Sequence, residues 1–288
     1  MENIEAVVLD FDGTLTDSDK EAETFIKLFK SYLASSDYFS NFGQEKFESL
    51  WNEEETKVQK EPDKYGWRYN DEIVAPPTCP YIVYLTITNL LMDKFNILPN
   101  KDERSTFINS LFQRTHKKTP TLFRENIEDF LYELLNIVPV FIVTASPEEN
   151  IREKIKHLDD KALIERISIR GGVRKYTFET EVSDGLPDIP NEIYIEGLGR
   201  PVLPKRVDYY NVLKELIDKN NIGGFESLLV VGDVYELDLA LPHVMNSYIC
   251  LIENKRTLEY EKKAVKEHDK GYITRDLNEV IHIINANR

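Results

Sequence analysis

Val7-Val8-Leu9-Asp10-Phe11-Asp12-Gly13-Thr14 decides the reading of this chain. The apolar run from Ile4 to Leu9 suits a strand covered on both faces, and it ends on two carboxylates separated by a single phenylalanine. Strand alternation puts Asp10 and Asp12 on one side and Phe11 on the other. Carboxylates that close repel each other, so a cation or a shared proton has to resolve the site. A nucleophile paired with a general acid has this pattern. A magnesium ion would hold Asp10 ionised while Asp12 keeps a proton to deliver. Gly13 lets the chain turn sharply straight afterwards.

Working outward, further runs rich in valine and isoleucine occur at Val138–Val143, Arg166–Ile169, Leu228–Val231, Tyr248–Ile252 and Gly271–Ile273. Helical patterns lie between or after them, at Lys154–Leu163, Tyr209–Lys219 and Leu277–Ala286. Such alternation predicts an α/β fold, a Rossmann-like doubly wound parallel sheet. The stretch between the first two runs breaks the rhythm. It reads as four helices, Glu21–Ala34, Gln44–Val58, Tyr81–Phe95 and Lys101–Arg114, with apolar residues at three- and four-residue spacing such as Phe25, Leu28, Phe29, Tyr32 and Leu33. We therefore expect a core of residues 1–18 and 122–288 and an inserted helical cap of residues 19–121, hinged near Ser18 and Thr121. Pro76, Pro77 and Pro80 mark a rigid turn within the insertion. Residues 171–203, rich in glycine and proline, read as an irregular excursion from the core with strand-like pieces at Tyr176–Val182 and Glu192–Glu196.

Three more strand ends carry candidate chemistry, on the edge where open α/β sheets bind ligands. Thr144-Ala145-Ser146 follows the second run, and Ser146, Pro147 and Glu149 read as a capped helix start. Backbone amides there, with the Thr144 hydroxyl, can hold phosphate oxygens. Lys205 precedes a helix and can neutralise a phosphate or a carboxylate, with Arg206 as its neighbour and rival. Gly232-Asp233, with Asp238 five residues on, makes a natural magnesium clamp, in which Glu236 competes with Asp238.

Together these features resemble the haloacid dehalogenase-like superfamily. Its signatures are a strand ending in Asp-x-Asp-Gly-Thr, a second ending in Thr or Ser, a lysine, and a strand ending in Gly-Asp with a further aspartate. Here they stand as Asp10–Thr14, Thr144, Lys205, and Gly232-Asp233 through Asp238. The resemblance implies that Asp10 attacks phosphorus and that Asp12 protonates the leaving oxygen and then activates water. It implies magnesium on Asp10, the Asp12 main-chain carbonyl and Asp233, with Asp238 in support, and phosphate held by Thr144, Ala145 and Lys205. The 61 residues from Thr144 to Lys205 exceed the family's usual spacing, and arginine, not proline, follows the lysine.

The expected activity is thus magnesium-dependent hydrolysis of a small-molecule phosphate monoester. A sugar phosphomutase would use the same two aspartates. A non-catalytic scaffold would have eroded them, and a hydrolytic dehalogenase would lack the second. With 36 lysines and arginines against 51 aspartates and glutamates, the net charge of −15 opposes nucleic acid and anionic membranes as partners. The partner expected is a phosphorylated small molecule, taken by a monomer or a homodimer. Cys79 and Cys250 read as buried thiols of a reducing compartment. The N-terminus lacks the pattern of a secretion signal and no run approaches ~20 apolar residues, so a cytoplasmic location is expected.

Overall fold

The computed structural model describes residues 3–158, 161–179 and 187–288. The chain divides into two compact units, residues 1–16 with 123–288, and residues 17–122.

The first unit is built on β1 (Ala6–Leu9). After it in the chain, and belonging to the second unit, come α1 (Ser18–Ala34), α2 (Gln44–Lys60), the short strands β2 (Trp67–Tyr69) and β3 (Glu72–Ala75), α3 (Pro80–Lys94) and α4 (Lys101–His116). The first unit resumes with α5 (Ile127–Ile137), β4 (Val140–Val143), α6 (Glu148–Ile155), α7 (Lys161–Arg166), β5 (Ser168–Arg170) and α8 (Val207–Asn220). It ends with β6 (Leu228–Gly232), α9 (Ala240–Val244), β7 (Tyr248–Ile252), α10 (Glu259–Lys266), β8 (Gly271–Thr274) and α11 (Asn278–Ala286).

Six strands form one parallel sheet in the order β5-β4-β1-β6-β7-β8. All six expected runs are therefore strands, and the doubly wound α/β core is as the sequence predicts. The lack of alternation in those runs has a plain cause, since both faces are buried. Val7, Leu9, Val140, Ile142, Leu229 and Val231 face one apolar layer with α5 and α11. Ala6, Val8, Phe141, Val143, Leu228 and Val230 face the other, with α8 and α10. Because β1 lies between β4 and β6, the strand order reverses there, and the crevice beyond its C-terminal end is where such sheets take ligands.

Two sequence expectations change. The single helix at 154–163 is two helices, α6 starting six residues earlier and α7 later. In the 171–203 excursion, Tyr176 to Glu179 is irregular and 180–182 lies outside the described residues. The second strand-like piece is reduced to one antiparallel bridge, Ile193 to Val202.

The second unit is helical with an aromatic centre. Phe25 of α1 packs against Tyr81 of α3 and Phe112 of α4, with ring centroids 4.9 and 5.1 Å apart. It also contains a hairpin the helical pattern concealed, β2 and β3, whose turn residues Asn70 and Asp71 both take positive φ, as tight hairpins require. Arg68 serves that turn, donating from Nη1 to the Asp71 carbonyl at 2.6 Å. Glu21 ties the unit's two chain ends: its carboxylate accepts from the Leu122 amide at 2.9 Å and from the Tyr81 hydroxyl at 3.1 Å.

Candidate active site

β1 is hydrogen-bonded between β4 and β6, with Leu9 paired to Ile142 and Val231, so the three strands end within one residue of one another. The Asp10 amide still donates to the Val231 carbonyl at 2.9 Å, which places Asp10 beside Gly232-Asp233 at the sheet edge. Gly13 then turns the chain at φ +92°. A Cβ there would lie 2.2 Å from Asp233 Oδ2, so glycine is needed both for the turn and for the close approach. Arg124 clamps the same turn, its guanidinium donating to the Gly13 and Thr14 carbonyls at 2.7 and 2.9 Å.

After β6 the chain makes one π-helical turn, Tyr235–Leu239. This brings Asp238 back over Gly232, where any Cβ would meet the Asp238 Cβ at 2.3 Å. Asp238 Oδ2 accepts from the Val234 amide at 3.1 Å, which fixes the turn. Asp10, Asp233 and Asp238 thereby converge, with one carboxylate oxygen from each within 4.8 Å of the others. Glu236, the sequence's rival to Asp238, goes elsewhere: Arg200 donates to both its oxygens at 2.6 and 2.9 Å, and Tyr260 adds a third bond.

The lysine at this cluster is Lys175, which corrects the expectation at Lys205. Lys175 Nζ lies 2.8 Å from Asp10 Oδ1 and 2.8 Å from Asp238 Oδ1, and the side chain is buried. The physical reason is topological. β5 joins the sheet beside β4 and ends at Arg170, so the loop leaving it delivers Lys175 to the same edge, 31 residues after Thr144. Lys175 thus stands near the start of the long excursion, and most of the excursion follows it. Lys205 is buried at the far end of that excursion, where its carbonyl accepts from the Glu179 amide. Arg206 donates to the Tyr176 carbonyl at 2.7 Å. Sequence reasoning also missed Tyr209, whose ring centroid is 5.3 Å from Lys175 Nζ and whose hydroxyl donates to the Asp238 carbonyl.

A profile of the haloacid dehalogenase-like hydrolases matches residues 4–240. The chain belongs to that family. None of the curated protein sequences matches it. Among solved structures it is similar to the HAD-hydrolase YfnB from Bacillus subtilis, described as bound to magnesium, at 13% identity over 98% of this chain and 99% of that one, TM-score 0.57. It is also similar to a predicted phosphoglycolate phosphatase from Haemophilus somnus 129PT, at 14% identity over 98% of each chain, TM-score 0.53. A third is a haloacid dehalogenase-like family protein, SP0104, from Streptococcus pneumoniae, at 15% identity over 98% and 99%, TM-score 0.51. At these identities the likeness concerns the fold.

The electrostatics of this haloacid dehalogenase-like hydrolase follow from burial. Fully ionised, the three buried carboxylates would carry two more negative charges than the Lys175 ammonium offsets. Burial pushes Asp10 up to about 7 against the pull of Lys175, with Asp238 adding repulsion. Burial and repulsion by Asp238 and Asp10 hold Asp233 well above the carboxylate range. Burial works to depress Lys175, yet the two carboxylates raise it further, so it stays charged. Asp233 Oδ2 is buried with no hydrogen-bond partner among the described residues. An orphaned carboxylate oxygen, an all-oxygen donor set and carboxylates that burial leaves short of positive charge fit a small divalent cation such as magnesium.

Asp12 has partners of its own. Lys154 Nζ donates to its Oδ1 at 2.6 Å and Ser146 Oγ donates to its Oδ2 at 2.5 Å. Ser146 therefore does not cap α6, whose N-cap is Pro147 with no side-chain bond, and the expected capping box does not form. Thr144 is buried at the end of β4, its hydroxyl accepting from the Ser146 amide at 3.2 Å, and Ala145 is exposed in the turn that follows.

Proposed function

We propose that this hydrolase cleaves a small-molecule phosphate monoester with magnesium, through an aspartyl-phosphate on Asp10. The observation that carries the reading is the charge imbalance at Asp10, Asp233 and Asp238, only partly offset by Lys175. A divalent cation balances it, and the dianionic phosphoryl group then meets a site whose net charge no longer repels it.

Asp10 and Asp233 would hold the ion with the Asp12 main-chain carbonyl, while Asp238 supports them from behind through its bonds to Lys175 and Val234. Magnesium supplies positive charge that orients the phosphoryl oxygens and neutralises what develops on them. Lys175 neutralises a second share of that charge, and the Thr144 hydroxyl and Ala145 amide offer donors to the remaining oxygens. The Asp10 carboxylate attacks phosphorus as the bond to the leaving oxygen breaks, and Asp12 gives that oxygen its proton, releasing the alcohol. In the second step Asp12 takes a proton from water, the water oxygen bonds to phosphorus, and the Asp10–phosphorus bond breaks. Phosphate leaves and Asp10 is again a carboxylate.

The test is phosphate release from a panel of metabolite monoesters, for the wild-type chain and Asp10→Asn, with magnesium or with excess chelator. Release should need magnesium, and Asp10→Asn should lose at least about 10³-fold in kcat. Equal release in chelator, or an unimpaired Asp10→Asn, would remove the reading. Transfer of phosphate between positions of one sugar without net release would identify a mutase instead.

A further inference from the structure

Lys154 stands out among the residues that the metal cluster does not use. It lies in the last turn of α6 and is 8% exposed, unusual for a lysine on a surface helix. Its ammonium is directed at Asp12 Oδ1 at 2.6 Å and sits 5.4 Å from the Phe11 ring centroid. Ser146 occupies the other Asp12 oxygen. Both carboxylate oxygens are thus tied down by two residues of the segment that follows β4, one in the turn and one in the helix.

Stability does not account for this arrangement. An ion pair taken out of water roughly breaks even against apolar packing of the same volume when both partners are replaced together. What two directional bonds supply is orientation, and orientation is what a proton donor to a leaving group needs. Resting on the phosphatase reading above, we infer that Lys154, with Ser146, is a positioning residue for Asp12. The pair sets the direction of that carboxylate, and through it the enzyme's ability to expel poor leaving groups.

The test compares an aryl phosphate, whose leaving group needs little protonation, with an alkyl phosphate, whose leaving group needs it fully. Lys154→Met should lower kcat for the alkyl ester at least about tenfold more than for the aryl ester, with KM little changed, and Lys154→Arg should restore most of the difference. In an Asp12→Asn background Lys154→Met should add nothing, because it acts only through Asp12. A parallel loss on both esters, or a full additional loss in the Asp12→Asn background, would overturn the inference. A crystal structure of the Lys154→Met/Ser146→Ala variant gives a readout independent of turnover. The Asp12 side chain should leave its present orientation, and an unmoved Asp12 would equally end the idea. A wild-type chain inactive on every phosphate, with Asp12 released in that crystal structure, would indict the phosphatase reading and leave the positioning role standing.

Discussion

Asp10 and Asp12 are two residues apart, yet they live in opposite electrostatic settings. Asp10 is buried among like charges, with two more carboxylates and Lys175 beside it. Asp12 is partly exposed, and its two oxygens accept from the Lys154 ammonium and the Ser146 hydroxyl. The first setting is short of positive charge and so asks for a cation. The second places a donor on each oxygen and so defines a direction. Adjacent carboxylates thus acquire different tasks from their surroundings, with no difference in their own chemistry.

That contrast can be broken most severely at Lys175. Replacing it with methionine strands Asp10 and Asp238 as unpaired buried carboxylates, which should cost roughly 3–5 kcal/mol of stability. Urea unfolding should show the loss, and added magnesium should recover more stability in this variant than in the wild type. A Lys175→Met chain as stable as the wild type would mean the ammonium is not needed at the cluster. Removing Asp233 sharpens the comparison from the other side. Magnesium at about 100 times its Kd should stabilise the wild type by about 2.7 kcal/mol. In thermal unfolding that amounts to several degrees, and Asp233→Asn should lose most of it. An equal upward shift in both chains would place the ion elsewhere.

The smallest effect concerns a control. Glu261 is a third kind of buried carboxylate, satisfied by the Leu258 and Tyr235 amides at 2.9 and 3.0 Å. Burial outweighs those bonds and pushes it up to about 8. The folded chain therefore holds a proton there that the unfolded chain has released between about 4.5 and 8, so this group's contribution to stability falls as pH rises through that window. Glu261→Gln should flatten that part of the stability profile, measured by denaturant unfolding at several pH values. An unchanged slope would show that Glu261 does not titrate there.

The core was legible in the sequence because parallel strands buried on both faces leave uninterrupted apolar runs, and all six appear at their expected places. The terminal aspartates were legible for the same reason: a carboxylate at the end of such a run has no structural excuse. Less visible were features made by contacts between distant segments. The hairpin at 67–75 was hidden because its strands are only three and four residues long and its turn lacks glycine.

From its sequence alone the chain determined a doubly wound sheet, the edge at which chemistry concentrates, and Asp10, Asp12, Asp233 and Asp238 as candidates there. Only the tertiary structure decided which lysine meets them and what holds Asp12. Lys175, Lys205 and Lys154 are alike in composition and local pattern, and each sits near a helix or a strand end. What separates them is which loop the sheet order carries to the β1 edge, and which helix face turns inward. Those are properties of strand pairing and packing between distant segments, and no local stretch of residues encodes them.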